Sequence, residues 1–155
     1  RLEPGRGVAL TEGSEAVLFG YGPVMLSQAY VASGLLAERG IGVKVVNLPW
    51  LNRLDTEWLT GMVDGCRWAF TLDDHYVIAG QGDMVLSRLS EIDIEPRPRA
   101  RKLGVLDLPA CGANDEVLRA HGLDAESLSE KIMLTIRNEK GQATQKQDNG
   151  PRSAM

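Results

Sequence analysis

The stretch best equipped for chemistry is Asp73-Asp74-His75, an imidazole beside two carboxylates. Such a trio could pass a proton, because histidine titrates near neutrality and neighbouring carboxylates stabilise its cation. It follows an apolar run from Trp68 to Leu72, and α/β sheets place ligands at the ends of such strands. Shortly after it, Gly80-Gln81-Gly82 could present backbone amides to an anion at a helix start. Gly20-Tyr21-Gly22 has the same form. Neither completes a dinucleotide fingerprint, since Met25 and Val85 stand where the third glycine belongs. Both are read as strand-to-helix turns that use glycine for backbone freedom. One histidine cannot build a metal centre alone. Asp73, Asp74, His75, Gly80 and Gly82 are therefore assigned to an interface or to a site shared with another domain, and no catalytic, cofactor-binding or metal-ligating residue is assigned to this chain.

The remaining reactive groups are read structurally. His121, just before Gly122, is placed to complement the last carbonyls of a helix. Arg97, Arg99, Arg101 and Lys102 form a basic run that could meet phosphate or an acidic partner, but no aromatic residue interleaves with it, and it is read as a solvated connection. Cys66 and Cys111 belong to no CxxC pair and are read as reduced, partly buried thiols. No Gly-x-Ser-x-Gly elbow and no Walker lysine motif occurs. The net charge of -4 and 5% aromatic content argue against nucleic acid and anionic membranes as partners. No apolar run approaches the roughly 20 residues of a membrane span or resembles a signal peptide, so the expected location is cytoplasmic. The chain opens on Arg1, as the end of a longer polypeptide would.

The elements that position these groups alternate. Ala16 to Tyr21 reads as a buried strand, and Gly22-Pro23 opens a helix with Met25, Ala29, Ala32, Leu35 and Leu36 at helical spacing, stopped at Gly40. Val43 to Leu48 is a second strand; Asp55 caps a helix to about Asp64, with Leu54 and Leu59 as a hydrophobic staple. Trp68 to Leu72 and Leu103 to Leu106 are further strands, with a helix around Met84 to Leu89 and an extended segment from Ile92 to Ala100 between them. Asn114 and Asp124 are candidate caps for two final helices, the second stapled by Leu123 and Leu128. Repeated β-α units require crossovers and a covered sheet. The expected fold is a three-layer α/β/α domain with a mainly parallel sheet of about five strands. Its bounds are 16–138, after an interdomain lead-in over 1–15 and before a disordered tail over 139–155 that lacks apolar area to offset its ordering entropy.

Four passages together resemble the C-terminal domain of the transketolase family, which includes 1-deoxyxylulose-5-phosphate synthase and the β subunits of 2-oxo acid dehydrogenases. They are Leu2-Glu-Pro-Gly5 with Leu10-Thr-Glu-Gly13; Val17-Leu-Phe-Gly-Tyr-Gly22; Gly40 to Leu48 continuing to Leu54-Asp55; and Leu72-Asp-Asp-His75 with Gly80-Gln-Gly82. The likeness covers roughly Leu2 to Ile136. Leu103-Gly-Val-Leu-Asp107 and His121-Gly-Leu-Asp-Ala125 look more like the transketolase and deoxyxylulose synthase branches than the dehydrogenases. Departures are Arg53 where the family often has Pro, Asp73-Asp74 for Glu-Glu, and Ala79-Gly80 for a double glycine.

The resemblance implies one domain of an enzyme using thiamine diphosphate and magnesium to transfer a two-carbon ketol unit between sugar phosphates. The family's Gly-Asp-Gly cofactor motif is present only as the fragments Asp64-Gly65 and Gly82-Asp83. Cofactor chemistry is thus expected on other domains or a partner subunit, in a homodimer or hetero-oligomer, with this chain supporting assembly and stability. Two alternatives are a docking domain of a 2-oxo acid dehydrogenase β subunit and an independent module binding an anionic metabolite through Gly80 to Gly82 and Arg97 to Lys102.

Overall fold

The computed structural model describes residues 3–148, with side chains through Asn138. Strands β1 (Val8–Ala9), β2 (Ala16–Gly20), β3 (Val43–Asn47), β4 (Trp68–Tyr76) and β5 (Arg99–Val105) form one sheet in the order β1-β3-β2-β4-β5. All neighbours are parallel except β1, which runs antiparallel to β3. The alternation of side chains along β2 divides the core. Ala16 and Leu18 point into a cluster with Met25, Phe70, Leu128 and Ile132. Val17 and Phe19 point into one with Leu59, Val63, Val85 and Leu89. Helices α1 (Pro23–Ala37), α4 (Asn114–His121) and α5 (Ala125–Asp148) therefore cover one face, and α2 (Thr56–Val63) and α3 (Gln81–Glu91) the other. This is the expected three-layer α/β/α domain.

Local helix signals appear where the sequence places them. Pro23 occupies the first turn of α1. Asp55 caps α2, its Oδ1 accepting the Trp58 amide at 2.8 Å, and Leu54 and Leu59 are buried in the same cluster. Asp124 Oδ1 accepts the Ser127 amide at 3.2 Å, with Leu123 and Leu128 buried together. Asn114 is instead the first helical residue of α4; Ala113 stands at the cap with no side-chain acceptor, and Glu116 Oε2 reaches back to the Ala113 amide at 3.0 Å. Helix α5 continues past Asn138 to Asp148; the rest of the expected tail lies outside the described residues.

Two strands differ more. β4 runs past Leu72 through His75 to Tyr76, so the acidic trio lies on a strand. β5 begins at Arg99, inside the basic run read as a connection. Arg99 and Arg101 lie 5.1 and 5.9 Å over the Trp68 ring, where cation–π attraction and the stacked stems favour an extended strand.

Three caps and ion pairs give the fold an acid-sensitive side. The Trp58 amide and Arg6 guanidinium hold the Asp55 carboxyl below the usual range. Lys102 and the Ala79 amide do the same for Asp83. Burial opposes ionisation of Asp124, but the Ser127 hydroxyl and amide outweigh it and lower its pKa. A depressed native pKa contributes stability above the unfolded value, near pH 4, and that contribution disappears as pH falls toward the native value. Urea midpoints should hold between pH 7 and 5 and then drop, and Asp55→Asn should flatten the drop; an unchanged acid slope in that variant would contradict the assignment.

Candidate functional site

The strand order reverses between β2 and β4, since α1 crosses from β2 to β3 on one side and β4 lies on the other. Open α/β sheets place their ligands at such a switch point, outside the strand C-termini. Tyr21 leaves β2 toward it; Asp73, Asp74 and His75 enter from β4; Gly80-Gln81-Gly82 begins α3 beside them. The five expected residues do converge.

Their geometry is that of a brace. Asp73 is fully buried. Its Oδ1 accepts the Gln81 amide at 2.9 Å and its Oδ2 the Gly82 amide at 3.1 Å. The strand thus caps the helix that follows it. The Tyr21 hydroxyl lies 3.3 Å from a carboxyl oxygen of both Asp73 and Asp74, and burial, then the two carboxyls, push its pKa up. His75 is 44% exposed with Nε2 3.7 Å from Asp73 Oδ1, too long for a hydrogen bond. A Cβ on Gly80 would stand 2.7 Å from Asp73 Oδ1 and His75 Cε1, so glycine permits this approach. Ala79 adopts φ +63°, the left-handed region, where the family's usual glycine sits more easily.

An anion at the start of α3 would need amides that Asp73 already holds, and it would face two carboxyl groups. The corner does not fit a diphosphate. Among the described residues no group of three or more His, Cys, Asp or Glu could hold a metal ion. The basic run is likewise engaged internally: besides the arginines on Trp68, Lys102 Nζ is 2.5 Å from Asp83 Oδ1 and Arg97 donates to the Ile92 carbonyl at 3.1 Å. From Arg99 on it is a strand rather than a connection, although Arg97, Arg99 and Arg101 remain exposed. His121 does not serve its helix end as expected. Its Nε2 accepts the Ala110 amide at 2.9 Å, while Lys131 Nζ reaches the His121 and Gly122 carbonyls. Cys66 is buried, which pushes its thiol pKa up, whereas Cys111 is exposed rather than partly buried.

Two residues of the corner escaped the sequence reading. Gln81 is 1% exposed, and its Nε2 donates to the Leu48 and Trp50 carbonyls at 2.6 and 3.1 Å, tying the loop after β3 to α3. Tyr21 was visible only as a residue between two glycines. No helix among the described residues is long and apolar enough to cross a membrane.

Sheet order, an antiparallel edge at β1 and a helix capped from the preceding strand define a three-layer α/β domain whose switch point is filled on the α3 side by its own side chains. The family model described as transketolase, C-terminal domain, matches residues 5–128. The chain belongs to this transketolase C-terminal domain family. It is 33% identical over 134 residues to the 1-deoxy-D-xylulose-5-phosphate synthase of Chlorobium phaeovibrioides, covering 86% of this chain and 21% of that protein. It is 27% identical to the putative transketolase C-terminal section of Methanocaldococcus jannaschii, covering 89% and 42%. A solved split gene transketolase, an inactive beta4 tetramer, superposes with a TM-score of 0.78 at 30% identity, covering 88% of this chain and 44% of that one. The chain thus spans about a fifth of the synthase and about two fifths of the transketolase section.

Proposed function

We propose that this chain is the C-terminal unit of a cytoplasmic, thiamine diphosphate-dependent enzyme of the transketolase type, which moves a two-carbon ketol unit between sugar phosphates. It contributes dimer assembly and stability, while the cofactor and magnesium bind on other domains or on a partner subunit. The observation that carries this reading is the α3 corner: the amides that could have bound a phosphate are held by the Asp73 carboxyl, which the Tyr21 phenol also meets. The part-length match to a transketolase C-terminal section and to a split gene transketolase supports a division of labour between polypeptides or domains. The same internal pairing weighs against an independent anion-binding module, and the named relatives favour the transketolase and synthase branches over a dehydrogenase docking domain.

The test is recovery of the chain from its source, identification of what accompanies it, and assay of ketol transfer with thiamine diphosphate. The expected result is a polypeptide, or a longer form of this chain, bearing the Gly-Asp-Gly motif, with turnover by the assembly and none by the chain alone. Turnover by the isolated chain, or its recovery with neither partner nor longer form, would overturn the reading.

A further inference from the structure

On the face of the sheet opposite the α3 corner, a cavity of about 210 Å³ lies at the carboxyl ends of the strands. Val24 and Met25, which follow β2, line it together with Asp74 of β4 and Val105 at the end of β5, the position where α/β sheets take ligands. Met25, Val105, Leu118 and Leu123 belong to the buried core, so its floor is apolar. Its wall carries charge at one place. Phe70 and Leu72 point into the same core cluster, and the pleat of β4 brings Asp74, two residues on, to that face, where it is exposed. Its carboxylate is the one formal charge among the lining residues. His121 accepts the Ala110 amide at Nε2, and an imidazole that accepts there is neutral. The segment 106–113 borders the cavity: it runs from Val105 to Asn114, both lining residues, and Ala110 ties it to His121, a third. Every residue of this strap is exposed, Leu106 by 74% and Leu108 by 87%. Two leucines in water beside an unfilled apolar hollow are surface left for a ligand to bury.

We propose that this cavity binds a small hydrophobic ammonium compound, a primary amine on a branched aliphatic body, and that the strap 106–113 closes over it. Volume limits the size. At ~30 Å³ for each water-sized group, the cavity holds roughly seven of them, enough for a short branched amine and too little for a nucleotide. Charge fixes the sign. The ammonium meets the Asp74 carboxylate in a charge-assisted hydrogen bond, and the Asn114 side chain at the mouth offers a second acceptor. An anionic ligand would face Asp74 in a chain whose net charge is already -4. The aliphatic body lies on Met25, Val105, Leu118 and Leu123. Closure lays Leu108 over it, and the exclusion of water strengthens the ion pair beneath. The site goes beyond the proposed function: it takes no part in ketol transfer and stands whether or not a partner bears the cofactor.

Calorimetric titration of the full chain with isoamylamine near pH 7 tests the assignment, with isoamyl alcohol and isovalerate as neutral and anionic probes of the same shape. The amine should bind, and the other two roughly tenfold or more weakly, the worth of one charge-assisted hydrogen bond. Asp74→Asn should bring the amine down to the level of the alcohol. Val117→Trp, which fills the cavity from α4, should abolish binding. Leu108→Ser should weaken the amine roughly tenfold and leave the melting temperature of the free protein unchanged, because Leu108 is exposed until the strap closes. Melting curves show that each variant is folded. No binding of the amine at millimolar concentration would overturn the site, and so would equal affinity for amine and alcohol or an amine affinity indifferent to Asp74→Asn. Wild-type affinity in Leu108→Ser would overturn the closing of the strap.

Discussion

Asp73→Asn should lower stability by about 3 kcal/mol, which for a domain of this size is a fall of about 10 °C in melting temperature. The carboxyl is fully buried and accepts two amides at the start of α3. An asparagine keeps the shape but turns one acceptor into a donor, so either the Gln81 or the Gly82 amide faces another N–H where water cannot replace the lost bond. Asp74→Asn provides the contrast. Asp74 is exposed and accepts from Tyr21, and its loss should stay within about 0.5 kcal/mol. If the pair worked as acid and base for a reaction, activity of the assembled enzyme would respond to both substitutions and stability to neither. A melting curve for Asp73→Asn that overlays wild type would sink the capping role.

The difference between these two aspartates marks how far the sequence could be read. Features fixed within one turn of chain were legible: Leu54-Asp55 with Leu59, Pro23 opening α1, and Leu123-Asp124 with Leu128 all fold as their spacing dictates. The convergence of Asp73, His75, Gly80 and Gly82 was legible too, because a strand-turn-helix unit leaves those residues few other places. What each aspartate does was not. Asp73 and Asp74 are adjacent, and only the pleat of β4 sends one into the core and leaves the other in water. Longer-range partners were less visible still. Nothing local tells that Trp68 lies under Arg99 and Arg101, so the basic run looked like a loop; nothing local tells that Gln81 reaches the carbonyls after β3. Asn114 misled for the opposite reason: a good cap residue was passed over because Glu116 satisfies the Ala113 amide from within the helix.

The lead-in poses the same question, and one substitution answers it. Read as a tether between domains, residues 1–15 should tolerate Gly13→Ala without consequence. The structure gives them another role. Val8 and Ala9 pair with Asn47 and Val46, and the Leu10 amide donates to the Val45 carbonyl at 2.7 Å. The Thr11 hydroxyl then takes the place of a strand residue, accepting the Val45 amide at 2.8 Å and donating to the Val43 carbonyl at 2.9 Å. The edge of β3 is thereby closed over its length, first by backbone and then by a side chain, which protects an edge that would otherwise offer free donors and acceptors to another chain. This closure depends on how tightly the segment lies against β3 at Gly13, where a Cβ would stand 2.5 Å from the Val43 carbonyl carbon and 2.6 Å from the Val43 and Lys44 nitrogens. These are backbone atoms of a buried strand and cannot swing aside as a side-chain tip would, so the lead-in must lift. Gly13→Ala should therefore cost about 3 kcal/mol, the upper part of the range for overpacking. It should also make the Val45 amide exchange with solvent faster, because that amide loses Thr11 as its cover. Wild-type stability and unchanged exchange would mean the lead-in is a tether after all; the expected loss makes it the fifth strand's worth of this domain, consistent with a family match that starts at residue 5 rather than at the first buried strand.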